Sequence, residues 1–463
     1  MSAAPALDAT PLAARAVALR GDGVASRCAA ALLESLGARV HRREGRRDEH
    51  PALGWARHGL MALTGSRSGP PRMIPAPLAA CADGVVKALA ALGAELPQAE
   101  RQGAARLAER AALLGLRRNG TVSAGGSCRL LASGDGMLAV NLARREDWDA
   151  LAAWLDGRAA RDWDELAHAL RGGATEPLLE RARLLGLPVA AAQPPGAGRG
   201  WCRVQRCGER VDRDPKRRPL VVDLSSLWAG PLCAQLLRQL GARVVKVESL
   251  ARPDGARAGA AAFYDRMNAG KASVALDFAR AGERARLRAL LLRADIVVES
   301  ARARALRQLG IDAEQLLAER PGLTWVSISG HGRDEPGANW TAFGDDAGVG
   351  GGLSALLEAV SGEWAFCADA VADPLTGLHA ALAAWSDFVA GGGSLIALAL
   401  HEVVAHCARW ELPAEREALV ARWQRWSAIG QRAGAAAPTA PPSPGQARAL
   451  GADNVEVLGE LGC

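Results

Sequence analysis

Residues 218–248 read RPLVVDLSSLWAGPLCAQLLRQLGARVVKVE. Leu220–Leu224 is a short apolar run of the kind that is buried on both faces in a parallel sheet. A sharp turn is predicted at Ala229-Gly230-Pro231, followed by an amphipathic helix that stops at Gly241 and a second apolar strand from Arg243 to Glu248. Strand, turn, helix and strand make a βαβ unit. Its turn brings backbone to the carboxyl end of a parallel strand, where α/β proteins keep their ligands.

The same pattern returns elsewhere in the chain. Residues 32–40 read LLESLGARV and residues 236–244 read LLRQLGARV, an offset of 204 at which Glu44 also matches Glu248. Val17–Glu44 therefore reads as a worn copy of the βαβ start. A second match, Ala80–Gly84 with Asp373–Gly377, has an offset of 293, so the first copy lacks roughly 89 residues. It also carries Ala80 where the second has Asp373.

Between the copies the pattern changes. Arg129–Val140 predicts a hairpin turning at Gly134-Asp135-Gly136, and helices are predicted at Glu146–Leu155, Trp163–Leu170 and Glu180–Leu187. Gly196–Arg217 reads as a connector. Beyond it strands are expected at Lys271–Phe278, Ala294–Glu299, Leu323–Ser329 and Ser394–Leu400, with helices at Gly282–Leu292, Leu375–Trp385 and Glu402–Arg409. Gly434–Gln446 is too rich in Pro and Ala to pack, and Ala449 to Gly462 predicts one docked helix. The expected fold is thus α/β, with Rossmann-like parallel sheets and a small α+β domain. The expected divisions are 1–115 (shortened first copy), 116–200 (small domain), 218–410 (complete domain) and 411–463 (linker and C-terminal helix).

Composition sets bounds on function. The 463 residues suffice for two or three domains, and 49% of them are hydrophobic but only 4% aromatic. The net charge of +6 is spread along the chain with no basic tail, so no nucleic-acid partner is expected. Four of the 56 basic residues are lysines: Lys87, Lys216, Lys246 and Lys271. The nine cysteines are scattered without metal spacing, which fits reduced thiols in a cytoplasm, and no metal is expected. No uncharged apolar stretch of about 18 residues and no signal-peptide pattern is found, so no membrane partner is expected. His401-Glu402…His406 mimics a zinc-protease motif, but its second histidine falls on another helix face.

Several further pieces occur in order: NAGKASVALDF at 268–278, ADIVVES at 294–300, LRQLGI at 306–311, PGLTWVSISGHG at 321–332 and DPLTGLHAALAA at 373–384. With residues 221–248 they resemble the family III CoA-transferases, the superfamily of carnitine CoA-transferase, formyl-CoA transferase and α-methylacyl-CoA racemase. GLMALTG at 59–65, SGDGMLAVNLARREDW at 133–148, LGLPVAAAQ at 185–193 and LGADNVEVLGELG at 450–462 resemble other parts of that family more loosely. The order departs from the family's. Here a shortened first copy carries the small domain and the complete nucleotide domain follows, as in a fusion of two units sharing one site. Either a pseudo-dimer within one chain or a homodimer is expected.

The resemblance implies an acyl-CoA:carboxylate CoA-transferase, with coenzyme A as co-substrate and an acyl-CoA and a carboxylic acid as partners. It makes Asp373 the nucleophile, and Asp373 is also expected to cap the following helix. It sets Trp228 and Ala229 beside the coenzyme, and Arg302 and Arg307 on its phosphates. Ser249 stands where some relatives carry an arginine. His331 falls near the thioester, and Gly391-Gly392-Gly393 at a Gly-rich turn of the family. Racemases of the family use a His–Asp pair. Here that stretch reads Gly344-Asp345-Asp346, a loss of the histidine that argues against racemisation and leaves Asp345 as the candidate base. A racemase or isomerase, or a CoA-binding protein without turnover, are the alternatives.

Overall fold

The computed structural model describes residues 9–13, 15–94, 96–196, 200–214 and 217–463. The N-terminal unit contains strand β1 (Ala16–Asp22), helix α1 (Val24–Ser35), strand β2 (Arg39–Arg47) and helix α2 (Leu78–Ala91). Strands β1 and β2 are parallel and, among the described residues, pair only with each other. The small domain follows as an antiparallel sheet of β3 (Cys128–Ala132), β4 (Met137–Asn141) and β5 (Val189–Ala191), with its own core around Trp154, Leu166 and Leu179.

The larger sheet is built from β6 (Arg203–Arg206), β7 (Leu220–Asp223), β8 (Arg243–Ser249), β9 (Ala272–Leu276), β10 (Ile296–Glu299), β11 (Thr324–Ser329) and β12 (Ser394–Ala399). Its order is β6-β12-β11-β10-β7-β8-β9, and every pair but β6–β12 is parallel. From β7 the chain winds outward through β8 and β9, then returns to β10 on the other side of β7. That reversal between β7 and β10 is the switch point of a doubly wound sheet, and it opens a crevice at the carboxyl ends of the two strands.

Helices cover both faces. On one lie α3 (Ala229–Gln239) and α6 (Ala372–Val389); on the other lie α4 (Ala281–Arg293) and α9 (Asn454–Leu461). Helix α5 (Gly344–Gly350), α7 (Leu400–Arg409) and α8 (Arg416–Ala433) complete the scaffold. The core over α3 and α6 runs without a break into the N-terminal unit, joining Leu232, Leu378 and Leu382 to Leu33, Trp55 and Leu89.

Two helix pairs pack alike. Helix α2 lies along α1 as α6 lies along α3. A Cβ added to Gly84 would sit 2.9 Å from both Ala25 O and Cys28 Cβ; one added to Gly377 would sit 2.6 Å from Ala229 O and 3.1 Å from Leu232 Cβ. The two sets of residues are related by the same offsets, 293 and 204, that relate the sequences. In both places the helices approach too closely for any side chain.

Several expectations need correction. The turn after β7 lies before Ala229, which is already the first residue of α3. Asp373 is not the cap of α6: the N-cap is Val371, and Asp373 occupies the second helical position. The connector contains β6, which pairs antiparallel with β12 and so covers an otherwise open sheet edge. Gly434–Gln446 does pack in part, since Ala436 N donates to Ala56 O at 3.1 Å and a Cβ on Gly59 would run into Pro438.

Candidate functional site

The loop after β7 is fixed from below by buried charge. Asp223 accepts from Ser225 N at 3.0 Å and pairs with Lys271 Nζ at 2.8 Å. Lys246 Nζ donates to Ser225 O at 2.9 Å and pairs with Asp254 at 2.9 Å, and Asp254 in turn accepts from Leu227 N. Both lysines are 2% exposed. Burial pushes Lys271 down to about 8, against the pull of Asp223. Leu227 sits at φ 70°, a conformation that a branched side chain adopts only when its surroundings hold it there.

Above this loop the carboxyl ends of β7, β10 and β11 and the start of α6 enclose a cleft of about 250 Å³. It is lined by Ser226, Ala229, Arg302, Ser329 and Asp373, with Arg144 of the small domain at its side. The cleft lies at the switch point. Burial, then Arg304, Arg144 and Arg252, disfavour the charge on Arg302, and no carboxylate among the described residues pairs with it. A group of arginines around an unpaired guanidinium is a ready receptor for phosphate.

Asp373 presents its carboxyl from the first turn of α6, where the helix dipole favours negative charge. The oxygen is packed against Gly344: a Cβ there would collide with Asp373 Oδ2 and lie 2.5 Å from Ala370 O. Burial pushes the Asp373 carboxyl up to about 7, with Arg110 opposing and Asp345 and Asp369 adding to the rise. Asp345 is raised to about 6 by burial and the charge of Asp369, and Asp346 to about 7 by burial. Three carboxyls, Asp345, Asp369 and Asp373, thus converge on the start of α6, and their chief counter-charge is Arg110.

The loop leading into α6 is strained. Ala368 and Ala370 have φ of 60° and 42°, both in the left-handed region. Between them Asp369, fully buried, receives both Arg110 Nε at 2.9 Å and Nη2 at 2.5 Å. Ala368 N donates to Thr64 Oγ1 at 3.1 Å and Ala370 N to Asp345 Oδ1 at 3.0 Å. Thr64 and Arg110 belong to the N-terminal unit. Nothing in their local sequence marks them, because the fold brings them to this loop from more than 250 residues away.

The structure therefore brings Asp373, Ala229 and Arg302 to one cleft. Trp228 lies beneath it: its ring is 2% exposed, edge-on to Phe263 at 5.4 Å and 5.3 Å from the Arg110 guanidinium. Asp345 is buried behind Asp373, away from the cleft. His331 and Arg307 line a second, larger cleft of about 760 Å³ between the small domain and the ends of β11 and β12, and Trp340 borders both clefts. Arg307 is engaged by Asp312 at 3.2 Å and Glu314 at 3.4 Å. The His331 ring lies 5.0 Å from that of His401; burial, His401 and Arg183 push its pKa down to about 3, so the ring is neutral.

Gly391, Gly392 and Gly393 are not near Asp373. They follow the far end of α6, an 18-residue helix about 27 Å long. Their φ values of 99°, 74° and 89° form a tight turn at the foot of the sheet, where a Cβ on Gly391 would meet Val211 O at 2.5 Å and one on Gly392 would run into Gly322 O. The triplet is required by packing.

Residues 219–442 match CoA-transferase family III. Among curated proteins, the succinate–glutarate CoA-transferase of Agrobacterium fabrum is 29% identical over 211 residues, 41% of this chain and 53% of that protein. The succinyl-CoA–D-citramalate CoA-transferase of Chloroflexus aurantiacus is 27% identical over 241 residues, 49% of this chain and 58% of that protein. Human α-methylacyl-CoA racemase is 36% identical over 113 residues, covering 24% of this chain and 28% of the racemase. The chain thus spans little more than half the length of the first two. A crystal structure of a CAIB/BAIF family protein from Brucella suis is 29% identical, covers 42% of this chain and 55% of its own, and gives a TM-score of 0.35.

Proposed function

We propose that the protein, whose residues 219–442 match CoA-transferase family III, moves CoA between carboxylic acids with Asp373 as the nucleophile. The observation that carries this reading is that Asp373 lines the switch-point cleft together with Ala229 and Arg302. Coenzyme A, a substrate here, would place its phosphates near Arg302 and its thioester near Asp373.

The chemistry balances without an added proton. A carboxylate oxygen of Asp373 attacks the thioester carbonyl and the C–S bond breaks, giving a mixed anhydride and the CoA thiolate. The thiolate attacks the aspartyl carbonyl, the donor acid leaves as its carboxylate, and an aspartyl–CoA thioester remains. The acceptor carboxylate then repeats these steps in reverse, so the thioester's free energy is kept.

Only the ionised carboxyl attacks. With Asp373 pushed up to about 7, kcat/KM is expected to rise with pH through that value and then level off. Gly344→Ala should displace the carboxylate and lower kcat about 100-fold, since a misplacement of roughly 1 Å costs about that much. Arg302→Ala should raise KM for acyl-CoA with little change in kcat, by about 10-fold or more, the worth of one charge-assisted hydrogen bond. Steady-state kinetics over a panel of acyl-CoA donors tests all three.

A racemase or isomerase is the second reading, favoured by the identity to the human racemase, although Asp345, the candidate base, does not line the cleft. It predicts solvent deuterium entering the substrate α-carbon, whereas a transferase leaves that carbon unlabelled. A CoA-binding protein without turnover would give neither exchange nor transfer.

The N-terminal unit fits a worn first copy that has kept the packing of its βαβ start and carries Ala80 in place of the nucleophile. The matched close approaches at Gly84 and Gly377 support this. On this reading the chain is a pseudo-dimer with one working site, divided near residues 115, 200 and 410.

A further inference from the structure

Asp373 is set by a loop that would not hold its shape unaided. Two alanines within three residues take up left-handed backbone, which persists only where the surroundings over-determine it. The surroundings here are Thr64 on Ala368 N, Asp345 on Ala370 N, and the two-pronged Arg110–Asp369 pair between them. Asp373 N then donates to Ala370 O at 3.0 Å, coupling the loop directly to the residue that carries the carboxyl. Arg110 also lies 5.3 Å from the Trp228 ring, at the N-cap of α3. One side chain of the N-terminal unit therefore touches both the loop leading to Asp373 and the start of α3 beneath the cleft.

We propose that Arg110, acting through Asp369, is a positioning residue for the Asp373 carboxylate, so that the N-terminal unit completes a site it does not itself contain. The proposal rests on the nucleophile reading of Asp373. The groups facing Asp373 are Arg110 from the short helix Glu109–Leu114, Asp369 from the loop, Asp345 from α5, and Arg144 and Arg302 across the cleft. Arg110 holds the loop by its planar fork and also supplies positive charge to this group. A structural prop would supply only the first.

The test is the pH profile of kcat/KM for the full chain and for Arg110→Met, Arg110→Lys and Asp369→Asn. Arg110→Met is expected to lower kcat about 100-fold and to move the acid limb to higher pH, because the carboxylate loses its counter-charge. Arg110→Lys keeps the cation but not the fork, so kcat falls while the limb stays near its wild-type position. Asp369→Asn removes a neighbouring negative charge, so kcat falls and the limb moves to lower pH.

Opposite displacements of the limb in Arg110→Met and Asp369→Asn would not arise from a general loosening of the fold. An Arg110→Met enzyme with wild-type kcat and limb overturns the proposal, as does a loss of kcat in all three variants with no movement of the limb. Should Arg110→Met fail to fold, Arg110→Lys and Asp369→Asn decide by the same criteria. Asp373→Asn, run alongside, separates the two readings. Its retention of turnover sinks the nucleophile and this role together, whereas an inactive Asp373→Asn beside an unaffected Arg110→Met sinks the positioning role alone.

Discussion

Asp373→Asn is expected to lower CoA transfer by roughly 10⁴-fold or more, the scale on which removal of a covalent nucleophile acts. The amide is nearly isosteric and keeps the contact with Gly344, but it has no anionic oxygen to attack the thioester. The fold should tolerate the change. Burial raises the Asp373 carboxyl to about 7, so the folded protein holds this proton more tightly than the unfolded chain does. The stability this group contributes is fully present below the ordinary carboxylate range and is lost as pH rises through about 7. Above that pH the wild type carries a disfavoured charge that the amide lacks. Thermal unfolding at pH 8 should therefore find Asp373→Asn at least as stable as the wild type, while the activity assay finds it inactive. A loss of turnover with a collapsed melting temperature would point instead to a structural role.

Glu109→Ala should have the largest effect on stability, a loss of about 3–5 kcal/mol. Glu109 stands with Glu100 between two buried arginines where the N-terminal unit meets the complete domain. Arg266 Nη2 lies 2.9 Å from Glu109 and 2.8 Å from Glu100, and Arg106 Nη1 lies 2.8 Å from Glu109. Arg106 and Arg266 are 2% and 1% exposed. Removing one carboxylate leaves two guanidiniums in a low-dielectric interior with only Glu100 to answer them. Removing a balanced pair leaves Arg266 with Glu100, so Arg106→Met combined with Glu109→Leu should cost less than Glu109→Ala alone. Chemical denaturation of the three proteins measures the difference, and equal midpoints for wild type and Glu109→Ala would contradict it.

The parallel core was legible because β7 and β10 are buried on both faces and must read as unbroken apolar runs. The likeness of residues 17–44 to 221–248 was legible because the α1–α2 and α3–α6 contacts constrain the same leucines and glycines. β6 was not: RVQR has no strand pattern of its own and takes its conformation from the open edge of β12. For the site, the position of Asp373 in the sequence sufficed to place it at a helix start, because the run after it is strongly helical. Side-chain direction was beyond reach. Trp228 belongs to the expected turn, yet its ring points into the core. The glycine triplet follows the right helix but lies at its wrong end. Arg110 and Thr64 act on the site only through contacts spanning most of the chain, which no local period encodes.

The most direct test of the whole account is a hydroxylamine trap in a single turnover with acyl-CoA, read by mass spectrometry of the peptide that contains Asp373. An aspartyl anhydride or thioester predicts a hydroxamate on Asp373, formed only when acyl-CoA is present and absent in Asp373→Asn. Full CoA transfer with an unmodified Asp373 peptide would contradict it.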